Sequence, residues 1–395
     1  MNPLPRLHDA GQSVWLDFLR RSLITGGGLE RLRREDGVSG VTSNPSIFGK
    51  AIVGSTDYDE AIRVIAGKNG RPPIDMFYDL ALADVTMAAD VFRAVFEDTG
   101  GADGFVSFEL EPRLAHDTRG SIEAAGALFQ RIGRPNVMIK VPGTEEGVPV
   151  VEELTGLGVN VNITLLFSVE LYEKVAVAYI RGLERRLEGG QPLDRMASVA
   201  SFFVSRVDAV VDVLLPEGSP LRGKVAIANA KRAYHRFRHL FSGERWERLA
   251  RAGARVQRPL WASTGTKNVA YSDVLYVEEL VGPDTVTTVP EATLDAFRDH
   301  GVVRPGAAWE GLEEAETILG LLPEQGIDLG AITDRLVEEG LAAFQADLDE
   351  LLEVIAGKLE EGHAAALSER NADRSGCSDG AAIESLAAGE LRRSC

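Results

Sequence analysis

The chain has 395 residues, 45% of them hydrophobic, and a formal net charge of −18. That length can bury a large core, and the acidic balance argues against nucleic acid and acidic membranes as partners, because no basic docking face is offered. The two cysteines, Cys377 and Cys395, both fall in the last twenty residues, which excludes a disulfide framework and a C-x-x-C site and makes a reducing compartment the simplest reading.

Residues 1–19 mix Pro, Arg, His and Asp with apolar residues. They show neither a signal-peptide core nor a long apolar span, so a cytoplasmic location is expected. From about residue 13 to 297, short apolar runs alternate with longer amphipathic stretches, which is how strand-helix units with parallel strands read. Eight strands are predicted, at 14–18, 40–42, 104–109, 137–141, 159–165, 197–203, 258–262 and 285–289. Several are continuously apolar, as strands covered on both faces are, and most end at polar residues: Asn44, Glu109, Lys140, Thr164 and Ser263.

Eight such strands predict a closed (β/α)8 barrel of the TIM type, whose site is built from strand ends and the loops after them. A doubly wound open sheet is the alternative. Length alone divides into two or three domains, yet one barrel with extra helices fits the same chain, so residues 1–360 are read as a single α/β-barrel domain. Beyond 305, Val337, Leu341, Phe344, Leu348, Leu351, Leu352 and Ile355 recur every three or four residues. This predicts helix, packed on the outside of the barrel. Residues 361–395 are rich in Ala, Ser, Gly and charge and are read as a flexible tail.

Three patterns resemble ligand motifs and fail on inspection. Gly49-Lys50-Ala51 looks like the end of a phosphate loop, but Asn44 stands where the leading Gly belongs and no Ser or Thr follows the Lys. Gly26-Gly27-Gly28 follows a helical pattern and lacks the strand-turn-helix setting of a dinucleotide fingerprint. His235 and His239 have metal-ligand spacing but sit among Arg232, Arg236 and Arg238, whose charges repel a metal. No metal and no nucleotide cofactor are expected.

Lysine is scarce here, with eight residues against thirty-four Arg. Lys140 therefore stands out in the apolar run Val137-Met138-Ile139-Lys140-Val141-Pro142. Burial disfavours the charged form of an amine, and the neutral amine is what attacks a carbonyl to form an imine. The other reading is a lysine whose stem lines the barrel and whose head reaches water or pairs with an acid. An imine mechanism also needs acid-base groups, and carboxylates end two other strands at Asp17 and Glu109. Each has a plainer reading, Glu109 as a structural partner of Lys140 and Asp17 as a helix-face acid.

Seven segments, in order, resemble the transaldolases: Val14-Trp15-Leu16-Asp17, Val41-Thr42-Ser43-Asn44-Pro45-Ser46, Val106-Ser107-Phe108-Glu109, Ile139-Lys140-Val141-Pro142, Val161-Asn162-Ile163-Thr164-Leu165-Leu166-Phe167-Ser168, Ser201-Phe202-Phe203-Val204-Ser205-Arg206 and Trp261-Ala262-Ser263-Thr264-Gly265-Thr266-Lys267-Asn268. The resemblance covers about residues 12–300 and points to the longer-chain bacterial branch.

It implies a cofactor-free barrel in which Lys140 is the Schiff-base lysine of the fourth strand, acting on sugar phosphates. Glu109 and Thr164 would hold the water that shuttles protons, and Asp17 would take the proton from the hydroxyl beyond the breaking bond. Asn44 and Asn162 would hold fragment hydroxyls, and Ser201 and Arg206 the phosphate. Where better-known relatives carry Arg after an Ala-Ser-Phe run, this chain has Ala262-Ser263-Thr264-Gly265-Thr266-Lys267, which makes Lys267 the substitute beside Ser263. Phe203 has no hydroxyl to help a water protonate the enamine, which favours transfer over release of free dihydroxyacetone. The alternatives are such an aldolase, or a non-catalytic sugar-phosphate-binding barrel. Dimers are common in the family, so a homodimer is expected.

Overall fold

The computed structural model describes residues 2–66 and 71–387, with side chains for 2–64 and 71–360. Eight strands form one closed barrel in chain order: β1 Gln12–Leu16, β2 Val38–Thr42, β3 Val106–Glu109, β4 Val137–Pro142, β5 Val161–Leu166, β6 Ser198–Phe203, β7 Gln257–Ala262 and β8 Thr285–Val289. Every neighbouring pair is parallel, and β8 closes on β1 from Gln12↔Thr285 to Leu16↔Val289. The predicted barrel is therefore the observed one, with strand limits moved by up to two residues at most ends. The continuous burial of these strands has its cause in the helices that connect them and cover their outer faces.

The lower end of the barrel is closed by a polar network. Asp103 accepts from the Trp15 indole Nε1 at 2.9 Å and from the Ser13 hydroxyl, and the Arg258 guanidinium donates to Ser13 Oγ at 2.7 Å. The Trp15 indole fits because β2 carries Gly40 beside it. A Cβ there would lie 2.7 Å from the indole and 2.6 Å from the Phe105 carbonyl. Burial pulls the Arg258 guanidinium below its ordinary value, and Asp103 and Asp284 oppose that shift.

Strand ends turn directly into capped helices at the opposite face. Asn44, just past β2, caps helix Pro45–Val53 by accepting from the Ile47 amide at 2.9 Å, with Pro45 opening the helix. Ser168 does the same after β5 for helix Val169–Glu188.

The long terminal helix, Leu329–Ala387, departs from the sequence reading. It crosses the upper mouth of the barrel instead of packing only on its outside. Gly340 approaches so closely that a Cβ would meet Leu165, at the end of β5, at 2.8 Å. Asp347 accepts from Ser46 at the start of helix Pro45–Val53, and Phe344 overlies Arg206 at 5.9 Å. The spacing of its apolar residues reports an amphipathic face, which both placements satisfy. Backbone helix continues to Ala387 and takes in most of the segment read as a tail; residues 388–395 lie outside the described ones. Among the described residues no helix is long and apolar enough to cross a membrane.

The lower network belongs to folding and not to the upper face. Asp103→Ala should destabilise the chain by about 2–4 kcal/mol, since it orphans buried donors. Chemical denaturation checks this, and turnover per folded molecule should stay at the wild-type level.

Candidate active site

The register of β3 and β4 sets Glu109 directly beside Lys140. Lys140 Nζ donates to Glu109 Oε2 at 2.8 Å and to the Ser43 carbonyl at 3.1 Å. Both side chains are buried, 4% and 7% exposed. Burial pushes the Glu109 carboxyl above the ordinary range, opposed by the attraction and hydrogen bond of Lys140. A carboxylate so destabilised is a ready acceptor for a proton from Nζ. Transfer along this one bond would leave a free amine and a protonated acid.

A cavity of about 300 Å3 opens above Lys140 at the upper mouth, lined also by Asp17, Asn44, Thr164, Ser201, Phe203, Arg206, Ser263 and Lys267. Of the eleven residues singled out from sequence, only Glu109 and Asn162 do not line it. Glu109 reaches it through Lys140. Asn162, opposite Lys140 on β5, donates to Ser107 Oγ at 3.0 Å and accepts from Ser201 Oγ at 2.7 Å. This ties β3, β5 and β6 together under the cavity floor. The Ser201 hydroxyl is thereby turned toward Asn162, two residues below the Phe203 end of β6.

Thr164 sits where the β5–β6 register slips, between Ile163 and Leu166, and the next residue, Leu165, has φ 60°. Such irregularities re-aim side chains at functional strand ends. Here the Thr164 hydroxyl is buried against the cavity and has no hydrogen-bond partner among the described residues. Asp17 follows β1; its Oδ1 accepts from Thr42 Oγ1 at 2.7 Å, and Thr42 in turn contacts Thr288 at 2.7 Å. The carboxylate is thus aimed into the cavity from the β1–β2–β8 side. Asn44 Oδ1 is committed to its helix cap, which leaves the amide NH2 as its donor for a ligand.

The outer part of the cavity is cationic. Arg206 opens helix Ser205–Leu214, and its guanidinium lies between the rings of Phe203 and Phe344, at 5.5 and 5.9 Å. Burial lowers its pKa, opposed by the charges of Glu109, Asp17 and Asp347. Ser263 adopts φ 55° after β7, and its hydroxyl meets Ser205 Oγ at 2.8 Å, bringing the β7 loop against the start of the Arg206 helix. Lys267 lies on that loop, exposed, at the cavity edge. Arg206 and Lys267 have no carboxylate within salt-bridge distance among the described residues.

A buried lysine-glutamate pair beneath a cation-rimmed cavity fits imine chemistry on an anionic carbonyl compound, and comparison with known proteins decides the lineage. The sequence profile of the family described as transaldolase/fructose-6-phosphate aldolase matches residues 14–355. The chain belongs to this family. It is 46% identical to Transaldolase 1 of Streptomyces avermitilis over 361 residues, covering 90% of this chain and 95% of that protein. It is also 46% identical to Transaldolase 2 of Nostoc punctiforme over 376 residues, covering 91% and 98%, and 46% identical to the transaldolase of Acidothermus cellulolyticus, covering 91% and 97%.

Two residues that line the cavity, Phe344 and Lys50, carried no signal of a site in the sequence. Phe344 read as one more core position of an amphipathic helix, and the Gly49-Lys50 pair was set aside because the phosphate-loop pattern fails. That failure holds, since Gly49 lies inside helix Pro45–Val53, yet Lys50 itself lines the cavity. Gly27 joins two short helices, and His235 stacks on Trp309 at 4.0 Å with Nε2 against the Trp309 carbonyl. Among the described residues no group of three or more His, Cys, Asp or Glu is placed to hold a metal ion.

Glu109→Gln keeps the shape of the pair and removes its proton acceptor. It should lower kcat in a transaldolase assay by about 10²- to 10⁴-fold with a small change in KM, as general acid-base groups do.

Proposed function

We propose that this transaldolase, a transferase, moves a dihydroxyacetone unit between sedoheptulose 7-phosphate and glyceraldehyde 3-phosphate on one side and erythrose 4-phosphate and fructose 6-phosphate on the other, through a Schiff base on Lys140. The observation that carries the reading is the 2.8 Å contact between buried Lys140 and Glu109 at the floor of the cavity. A proton passes from Nζ to Glu109, and the free amine adds to the ketose C2 carbonyl. Glu109 returns the proton to the carbinolamine hydroxyl, through a water also held by the Thr164 hydroxyl, and water leaves to give the iminium.

Asp17 then takes the proton of the C4 hydroxyl. The C3–C4 bond breaks, its electron pair flows into the iminium, and the aldose phosphate departs from an enamine on Lys140. The acceptor aldehyde adds by the reverse steps. Asn44 and Asn162, with Ser201, hold the fragment end, while Arg206, Ser263 and Lys267 hold the phosphate, where a guanidinium can donate two parallel bonds. Phe203, packed on Phe167 at 5.3 Å, offers no hydroxyl for protonating the enamine. This disfavours the aldolase outcome, in which dihydroxyacetone is released without an acceptor. Residues 1–360 act as one catalytic domain in this reading. The cysteine usage fits a cytoplasmic enzyme, and a homodimer rests on the family resemblance.

Incubation with fructose 6-phosphate and borohydride should leave a reduced three-carbon adduct on Lys140, read by mass spectrometry and absent in Lys140→Ala. Supplying erythrose 4-phosphate beforehand should remove it. Binding of the sugar phosphate with no labelled lysine would replace the enzyme reading with that of a binding barrel. A chain ending at residue 362 should keep full turnover, because Gly340, Phe344, Asp347 and Leu348, which approach the site, all precede that point. Loss of turnover in that chain would place residues 363–395 in the working enzyme.

A further inference from the structure

Lysines in this chain are few, and their surroundings divide them sharply. Of the eight, Lys174, Lys224, Lys231 and Lys358 each lie within 4 Å of a carboxylate, as Lys140 does with Glu109. Lys50 and Lys267 are the described lysines with no such partner among the described residues, and both line the same cavity. Both are exposed at the cavity edge. Their charges are available to an incoming anion.

The fold holds Lys50 in that place. Asn44 caps helix Pro45–Val53, Ser46 bonds Asp347 of the terminal helix, and Ser46, Ile47 and Lys50 together present one helical face to the cavity. In a closed ring of eight strands, the helix after β2 stands across the mouth from those after β6 and β7. Lys50 thus lines the same cavity as Arg206 and Lys267, from the helix that follows β2. Arg206 is held between two rings, whereas Lys50 is exposed, on a flexible four-carbon stem with three rotatable donors.

We infer that Lys50 is a further phosphate-binding residue, closing the anion site from the β2 side once a sugar phosphate is bound. The inference rests on the proposed sugar-phosphate reaction and adds a contact to its phosphate end. Arg206 gives a fixed, directional grip, and Lys50 an adjustable one that can follow the phosphates of ketoses of different length.

Steady-state kinetics of Lys50→Gln and Lys50→Arg test it, with fructose 6-phosphate and unphosphorylated fructose as paired donors. In Lys50→Gln, KM for fructose 6-phosphate should rise about 3- to 10-fold, the range for one partly exposed charge-assisted contact, with kcat changed less than about twofold. KM for fructose should not move, the salt dependence of kcat/KM should flatten, and Lys50→Arg should recover most of the loss. Equal KM shifts for both donors, or a fall in kcat with KM unchanged, would overturn the role of Lys50. Borohydride trapping at Lys140 in the same variants keeps the two readings apart. Retained trapping with unchanged KM sinks the Lys50 inference alone, whereas absence of trapping in the unsubstituted protein sinks the imine reaction on which it rests.

Discussion

The site depends on a charge pair that water hardly reaches. Lys140 and Glu109 meet at 2.8 Å on adjacent barrel strands, and neither could be buried alone without a large desolvation penalty. Together they are tolerable, and burial narrows the gap between the ionised pair and its neutral form, because it penalises the carboxylate while Lys140 stabilises it. The pair sits at the floor of the cavity, with the Lys140 side chain lining it. Parallel register is what holds it, since a slip of one residue between β3 and β4 would turn one partner to the outer face of the barrel.

Around that pair the barrel separates work by height. Its lower end is occupied by the Asp103, Trp15, Ser13 and Arg258 network, whose hydrogen bonds are internal. Above the pair, polar groups are left partly unpaired among the described residues: the Thr164 hydroxyl, the Asn44 amide and the rim cations Lys50, Arg206 and Lys267. Two residues of the upper rim, Leu165 and Ser263, hold left-handed backbone at a cost of about 1–3 kcal/mol each. A net charge of −18 does not oppose binding of phosphates here, because a Debye length of about 10 Å screens the distant acids while the local cations act at contact distance.

Much of this was legible beforehand because its causes are local. Apolar runs such as 137–141 report strands covered on both faces, and a lysine inside one is costly enough to need a reason. Nine of the eleven residues named from strand ends and from the resemblance to transaldolases line the cavity, because the upper ends of parallel strands and the segments after them form the mouth of a barrel. Asn162 is the informative exception. Its place on β5 was read correctly, but whether its amide faces ligand or protein depends on Ser107 and Ser201, which arrive from two other strands.

The terminal helix and Lys50 mark the limit. An amphipathic period says that one face of residues 329–360 is covered, and says nothing of which surface covers it; only the packed barrel brings Gly340, Phe344 and Asp347 over the mouth. Lys50 carries no motif, because a helix after β2 comes to line the same cavity as Arg206 and Lys267 only when the ring has closed on β6 and β7. By itself the sequence determined the barrel, the scarce buried lysine and its lineage, since periodicity, burial cost and motif order are written along the chain. The tertiary structure alone decided which unpaired cations share one cavity and which helix roofs it, because those are distances between segments far apart in sequence.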